Sequence, residues 1–557
     1  MIEITAYILG SLSLYTIFSI YNYFKYLKNA KKEINENFGK KRNIKEIKID
    51  MERVSSYFKN KKSEYNFFID DITWNDINMD EIYLNMNYTQ SSVGEEVLYD
   101  ILRTPIYDDA KLKERDSVID FFQNNEKHRF ELQYIMAKVG KISYINISDY
   151  FYNKLEYNSS NLLLYRILGI IPIIGLLITI ISKYGVILFI GSLLFNAYLN
   201  NKIKRKSGYD IEAFMYMISL VNSAKKIQKI GIEEVNSQFT KINDSIHKLK
   251  GLRNKYFNPI SYATINDAMM MSEYLNMFFL KSVIKFEKIK HIIIDNKEDI
   301  KVIYEFIGTI DAYISIASYR ESLDYYAKPK LTNASELSDN HLEFIDMYHP
   351  FIANPVSNSD KLSNSILITG SNASGKSTFL RTLALNAITA QTIYTCFARE
   401  YISPYFNIYT SMALKDDIFS NESYYMVEIR SLKRILDNIN DNIPCLCFID
   451  EILRGTNTVE RIASSSEVLS YLGNSNCICI AATHDIELTH ILKNTFDNYH
   501  FQEYITDNGI SFDYKLHSGR TLTRNAIKLL EFMGYNKDIV QSAENKANNF
   551  LNTGLWN

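Results

Sequence analysis

Three short stretches carry side chains that could handle a phosphoanhydride. The first is Gly370-Ser371-Asn372-Ala373-Ser374-Gly375-Lys376-Ser377-Thr378, which fits the phosphate-loop pattern G-x-x-x-x-G-K-[ST]. Its flanks suit that reading: Ile366 to Thr369 is a short apolar run readable as a buried strand, and Phe379 to Leu385 is strongly helical. Strand, Gly-rich loop and helix N-terminus make an anion site, because the backbone N–H groups and the helix dipole both favour negative charge. Lys376 would reach the β- and γ-phosphates and Ser377 would ligate Mg²⁺. The second stretch is Asp450-Glu451, at the end of the apolar run Cys445–Ile449. Asp450 suits Mg²⁺, directly or through water, and Glu451 suits polarisation of an attacking water. The third is Thr483-His484-Asp485, which closes the run Cys477–Ala481 and offers His484 to a γ-phosphate. Phosphoanhydride hydrolysis is mostly positioning plus charge neutralisation, and these groups supply both.

Such groups must be positioned by a parallel sheet, whose sites form at the C-terminal ends of strands. Residues 331–535 alternate βα in keeping with this. Tyr499 to Leu516 alternates around Asp507-Asn508-Gly509, a hairpin turn signal. Two last helices, about Arg524–Met533 and Lys537–Phe550, flank Gly534-Tyr535-Asn536. Upstream, residues 207–330 read as long helices. A helix starting near Ser92 runs to Arg103 and is stopped by Pro105; a further helical pattern covers Ala110 to about Ala137.

Composition narrows the class. The 557 residues suffice for several domains, with 23% charged and 46% hydrophobic residues as in ordinary globular proteins. A net charge of −2 gives no general argument for a nucleic-acid partner, so any basic surface is local. One candidate is Lys241 to Lys255, with Lys248, Lys250 and Arg253 between them; a basic helical face can contact a phosphate backbone, though interspersed acids also suit a solvated face. The five Cys are Cys396 and two C-x-C pairs, Cys445/Cys447 and Cys477/Cys479. Sequence spacing alone is poor for zinc and reads as small buried hydrophobes in a reducing compartment.

Three apolar segments stand out. Ile4 to Phe24 carries no charge and is followed by Lys25, Lys28, Lys31, Lys32 and Lys40-Lys41-Arg42. That order is wrong for a cleaved signal peptide and right for an anchor whose C-terminal end is cytoplasmic. Leu162 to Ser182 and Gly185 to Leu199 form a second block broken at Ser182-Lys183-Tyr184 and followed by Lys202, Lys204, Arg205 and Lys206. The block fits a tight hairpin of two spans, the second short for a crossing. Three transmembrane helices are expected, with the large polar regions in the cytoplasm of a multi-pass cell-membrane protein.

The three chemical motifs, with their neighbours, resemble the MutS family of DNA mismatch-repair ATPases, a branch of the ABC-type ATPases. The resemblance covers roughly residues 70–140 and 300–550. Gly370–Thr378 looks like the family's Walker A, Ile449 to Thr458 like its Walker B with the following loop, and Ala482 to Thr489 like its switch-histidine motif. It implies that the region from Asp416-Asp417 to Glu428 completes the nucleotide site of the opposite subunit, with Ser423 as the contact in trans. It further implies that His349 to Pro355 packs on the adenine through Phe351 and Ile352. Tyr88–Pro105 resembles the start of the family's helical lever, and the last two helices its helix-turn-helix dimerisation element.

The resemblance implies an α/β P-loop ATPase domain C-terminal to an all-α lever, with boundaries at 1–24 (anchor), 25–70 (basic helical connector), 71–160 and 201–330 (lever), 161–200 (transmembrane hairpin), 331–523 (ATPase) and 524–557 (dimerisation). It implies a homodimer that hydrolyses ATP with Mg²⁺ and binds mismatched, double-stranded or branched DNA. The chain departs from the family pattern in several places. No mismatch-reading domain is expected before the lever, and the Phe501-Gln502-Glu503 triplet lies on the late hairpin instead of in a wedge. Leu453 stands where the family usually has Gly, and Tyr424 where it usually has Thr. The apolar hairpin inside the lever supports an alternative, an ATP-driven machine acting on a membrane-protein or envelope partner without DNA.

Overall fold

The computed structural model describes residues 21, 25, 28–43, 49–142, 144–152, 161–179, 181–238, 242–249, 277–332, 341–371, 374–412, 424–506, 509–520 and 526–554. These fall into two compact units: Met1–Asn66, Tyr83–Ile101 and Glu114–Ser322 in the first, Phe67–Ile82, Leu102–Lys113 and Leu323–Asn557 in the second.

The first unit has helices and no strand among its described residues. Its main elements are α1 (Ser92–Arg103) and α2 (Asp109–Asn124), both of which run on into the second unit, then α3 (Glu126–Val139), α4 (Leu162–Ile178), α5 (Tyr184–Ile230), α6 (Lys281–Asp295) and α7 (Lys297–Glu321). The expected helical pattern from Ala110 is thus two helices, broken at Asn125. Glycines let two of these helices approach closely. A Cβ on Gly308 of α7 would sit 2.4 Å from Val97 Cγ2, and one on Gly94 of α1 would sit 2.3 Å from Asp311 Oδ2. Asp311 cannot yield easily. Its buried carboxylate accepts from the backbone N–H groups of Gln90 (3.0 Å) and Ser91 (2.8 Å) and from the Ser91 hydroxyl (2.5 Å). Burial pushes its pKa up to about 6 against those bonds.

The apolar block forms an antiparallel pair. Asn196 of α5 donates to Leu168 O of α4 at 2.9 Å, and Gly175 faces Phe189 so closely that a Cβ would lie 2.8 Å from its backbone N. Leu163, Ile167, Ile170, Leu177, Ile187 and Leu194 point outward, each about half exposed or more. Among the described residues one helix, Tyr184–Ile203, is long and apolar enough to cross a membrane, and Leu162–Ile178 is a shorter apolar helix. Three such helices were expected; Ile4 to Phe24 lies outside the described residues apart from Tyr21. The expected lengths are also exchanged. Nothing after Leu199 breaks the helix, so α5 carries on for 47 residues, roughly 70 Å, and the expected boundary at 200/201 falls inside it. Beyond the basic turn its inward face, including Phe214, Met217, Leu220 and Val221, is buried. Of the basic stretch 241–255, residues 242–249 are described; they hold the helix Ile242–Lys248, where Lys248 pairs with Asp299 at 3.2 Å.

The second unit carries two sheets. Strands β1 (Lys330–Thr332), β2 (Leu342–Met347), β3 (Asn358–Leu362), β4 (Ser365–Thr369), β5 (Glu400–Pro404), β6 (Asn407–Ser411), β7 (Cys445–Asp450), β8 (Cys477–Ala482), β9 (Phe496–Thr506) and β10 (Gly509–Ser518) arrange as β1-β5-β2-β3 and β10-β9-β4-β8-β7-β6. The larger sheet is parallel except for β10, which runs antiparallel to β9. Its central strands are unbroken apolar runs, as burial on both faces demands. Helices α8 (Lys376–Ile393), α9 (Tyr424–Asp437) and α10 (Thr458–Gly473) accompany it, and α11 (Ala526–Phe532) and α12 (Lys537–Thr553) end the chain near their expected positions. The short helix Asp71–Asp76 belongs to this unit: Asp76 accepts from Thr410 Oγ1 (2.6 Å) and Met412 N (2.9 Å), fastening the end of β6.

Gly94→Ala is expected to destabilise the helical unit by about 1–3 kcal/mol, the usual scale of overpacking, despite alanine's better helix propensity. Urea unfolding followed by circular dichroism reads this, and an unchanged midpoint would mean that α1 and α7 are not packed as closely as described.

Candidate active site

β4 delivers the chain into the phosphate loop through Gly370, at φ 141°. A Cβ there would lie 2.9 Å from Phe501 O and 3.0 Å from Ser374 Oγ, so a glycine is required. Ser374 Oγ donates to Ser371 O at 2.7 Å, Gly375 takes φ 104°, and Lys376 begins α8. Asn372 and Ala373 lie outside the described residues. Ser371, Ser374, Gly375 and Ser377 thus stand where the sequence places them, around the helix N-terminus, with Thr378 in its first turn.

The strand order then does what sequence distance hides. β8 pairs directly with β4, and β7 with β8, so the loop, His484 and the Asp450-Glu451 pair emerge side by side. Lys376 is 2% exposed. Its Nζ donates to Gly370 O (2.6 Å) and Ser371 O (2.9 Å) and lies 3.4 Å from His484 Nε2. Burial lowers its pKa to about 8, while the negative charges of Asp450 and Glu451 oppose that fall.

Ser377 Oγ donates to Asp450 Oδ2 at 2.5 Å, and Asp450 Oδ1 is buried without a hydrogen-bond partner. A hydroxyl and a carboxylate with an unused lone pair form a hard oxygen donor set that fits Mg²⁺. Glu451 follows at φ 57°, an unusual conformation for a side chain of its size and one common at functional sites. Its N–H donates to Ala482 O at 2.9 Å. Glu451 Oε1 lies 3.1 Å from His484 Nε2, and Oε2 lies 2.9 Å from Arg454 Nε. The bond to His484, then the charges of Arg454, His484 and Lys376, hold the Glu451 carboxyl below its usual range although burial opposes them. One ring nitrogen of His484 therefore faces both an ammonium and a carboxylate. It accepts from Lys376 in one tautomer and donates to Glu451 in the other, so it couples the two groups.

Several supporting residues carried no separate signal in the sequence. Arg454 also donates through Nη2 to Asp450 O at 3.0 Å. Arg461 of α10 grips Asp485 with two bonds, 2.6 and 2.9 Å, next to His484; the spacing that brings a helix back onto the next strand end hid this pair. Glu428 of α9 is 3% exposed, accepts from the N–H of Leu453, and has its pKa raised mainly by burial. Leu453 is the departure from the expected Gly, and it sits at φ 56°. The turn keeps the left-handed conformation that a glycine would favour, and the leucine side chain, 4% exposed, is held there by core packing and the Glu428 bond.

Phe351 and Ile352 lie in the turn between β2 and β3. Phe351 N–H points to His349 Nδ1 at 3.4 Å and its ring packs edge-on at 5.8 Å; Ile352 is 43% exposed. Burial, helped by the charge of Arg381 on α8, lowers His349 to about 4, so its imidazole is neutral at physiological pH. Ser423 lies outside the described residues; the helix that follows it is present as α9.

Residues 366–551 match the family model for MutS domain V. The chain is 36% identical over 194 residues to the DNA mismatch repair protein MutS of Pseudothermotoga lettingae, covering 34% of this chain and 23% of that protein. It is 32% identical over 268 residues to MutS protein homolog 4 of Homo sapiens, covering 44% and 28%. It is also 29% identical over 334 residues to the DNA mismatch repair protein MutS of Finegoldia magna, covering 57% and 38%. Residues 366–551 are of the MutS domain V type. The chain matches only about a quarter to two-fifths of the length of these relatives. The MutS match begins inside β4 and takes in every one of the three motifs.

An anionic nucleotide needs the ammonium form of Lys376. Because that form is lost as pH rises through about 8, binding must then take up a proton. Nucleotide affinity is expected to fall by up to about tenfold per pH unit above that point. Lys376→Ala should weaken binding at neutral pH by about tenfold or more and flatten the profile. Fluorescent-nucleotide titration across this range decides it; an undiminished affinity in the variant would remove Lys376 from the phosphate site.

Proposed function

We propose that this chain is a MutS-family ATPase that binds ATP at the ends of β4, β7 and β8 and hydrolyses it. The observation that carries this is the convergence of Lys376, Ser377, Asp450, Glu451 and His484 on one sheet edge, in hydrogen-bonding contact with one another. Lys376 and the loop N–H groups hold the phosphates. Ser377 and Asp450 hold Mg²⁺, which neutralises phosphate charge when bound. Glu451 orients and polarises the attacking water, and His484, set against both Glu451 and Lys376, senses the γ-phosphate. Phe351 and Ile352 are proposed to pack on the adenine. Ser423 is proposed to reach the nucleotide of an opposing copy, which makes the working form a homodimer.

The proposed ligand of the helical unit is DNA, mismatched or structured, with ATP turnover switching the levers between open and closed states. Two of the relatives are DNA mismatch repair proteins by name, and the likeness to them supports the reading here. A second reading rests on a specific observation, the outward-facing apolar residues of α4 and α5. We propose that this pair, with the N-terminal apolar segment, holds the protein in the cell membrane, with the basic turn around Lys202 and Arg205 and the ATPase domain on the cytoplasmic side. In that setting the levers act on a membrane-protein or envelope partner without DNA.

Glu451→Gln should keep ATP affinity near wild type and slow turnover by about a hundredfold or more, the usual worth of a positioned acid–base group. Unchanged hydrolysis in that variant would take the water-activating role away from Glu451.

ATPase rate in detergent or nanodiscs, with homoduplex, mismatched, branched or single-stranded DNA at stated salt, separates the two readings. Stimulation by one form supports the DNA reading and names the substrate. A robust rate indifferent to every form favours the membrane partner.

A further inference from the structure

The two C-x-C pairs are separate in sequence and joined in the sheet. β7 and β8 are neighbouring parallel strands whose register sets Cys445 opposite Cys477 and Cys447 opposite Cys479. Residues two apart on a strand share a face, so all four thiols fall on one face of the sheet. The Sγ atoms of Cys445, Cys447 and Cys477 all lie within 4.8 Å of one another, and those of Cys447 and Cys477 are 3.5 Å apart. Three thiolates bound to one ion at about 2.3 Å stand roughly 4 Å from each other, so the cluster is close to the size of a metal-binding triad before any ion is considered. Cys479 is within the same core patch and offers a further sulfur.

From this arrangement we propose that Cys445, Cys447 and Cys477 bind a soft, closed-shell metal ion, zinc or monovalent copper. The donor set selects for it, since sulfur-only sites favour these ions over the hard cations suited to Ser377 and Asp450. The location also suits it. Cys445 and Cys477 are the first residues of their strands, and Cys477 is only partly buried, which leaves an approach from the N-terminal rim of the sheet. The remaining wall is apolar, with Leu432 and Ile435 of α9 and Leu469 and Leu472 of α10 in the same core. Each metal–sulfur bond replaces an S–H bond, the proton leaves to solvent, and no electron is transferred. Along β7 the site lies about 10 Å from Asp450 at Cys447 and about 16 Å at Cys445, so it ties together the two strands that carry the catalytic ends without touching them.

The test uses the full-length chain in detergent, reduced and stripped with a chelator. It is titrated with zinc against a chromophoric competitor, with cadmium while following the ultraviolet thiolate band, and anaerobically with monovalent copper. The expected result is about one ion per chain with a thiolate band, and the tighter of zinc and copper names the metal. Cys447→Ser and Cys477→Ser should each weaken binding at least tenfold, with Cys396→Ser unchanged as a control. Circular dichroism reports whether each variant is folded, and ATP affinity is measured alongside. The latter separates this proposal from the ATPase reading, because either can fail while the other stands. Absence of a thiolate band and of retained metal in folded wild-type protein would overturn the proposal. So would equal affinity in Cys447→Ser, or a Cys447–Cys477 disulfide that survives as the native form.

Discussion

A single buried ammonium organises the second unit. Lys376 is almost fully removed from water, and an ion in that position must be met by oxygen atoms or lose its proton. The loop answers with two carbonyls, Gly370 O and Ser371 O, which requires the chain to leave β4 through a glycine-only conformation. The neighbouring strands answer with Asp450 and Glu451, whose charges oppose the loss of the proton. His484 then bridges cation and carboxylate. Each of these groups is placed by a strand end, so the charge balance at Lys376 depends on the order β4-β8-β7.

The turn after β7 shows how much the scaffold spends on that geometry. Two side-chain-bearing residues, Glu451 and Leu453, sit in the left-handed region within one short turn. Such positions cost of order 1–3 kcal/mol each and persist only when the surroundings over-determine them. Here the surroundings are the backbone bond from Glu451 N–H to Ala482 O, the Glu428 bond to Leu453 N–H, and the core packing of Leu453. The same turn aims Arg454 back at Glu451 and at the carbonyl of Asp450. The carboxylate that would handle water is thus clamped from both sides, by an imidazole and a guanidinium.

The helical unit is governed by a different constraint, close helix approach. Gly94 and Gly308 permit α1 and α7 to meet at distances no Cβ allows, and the buried Asp311 fixes the chain turn ahead of α1. α5 joins two environments in one rod: its first part is apolar and outward-facing, its second part buries an amphipathic face. The helix runs unbroken across the boundary between them.

The sequence by itself determined the local chemistry. The phosphate loop, the strand-end Asp450-Glu451 and His484 were legible because each obeys a short-range rule: a glycine where φ must be positive, an apolar run where a strand is buried on both faces. The C-terminal edge of α1 was legible for the same reason, through Pro105, and the break between the last two helices through Gly534-Tyr535-Asn536. Tertiary structure decided what depends on strand order and register. It set His484 between Lys376 and Glu451, brought Arg461 onto Asp485, and placed Glu428 under Leu453. It also turned two unremarkable C-x-C pairs into one cluster, because parallel pairing sums side chains about 30 residues apart in a way no linear spacing encodes. Helix continuity through 200/201 likewise escaped a reading by composition. A change from apolar to charged residues alters what surrounds a helix without supplying any atom that would end it.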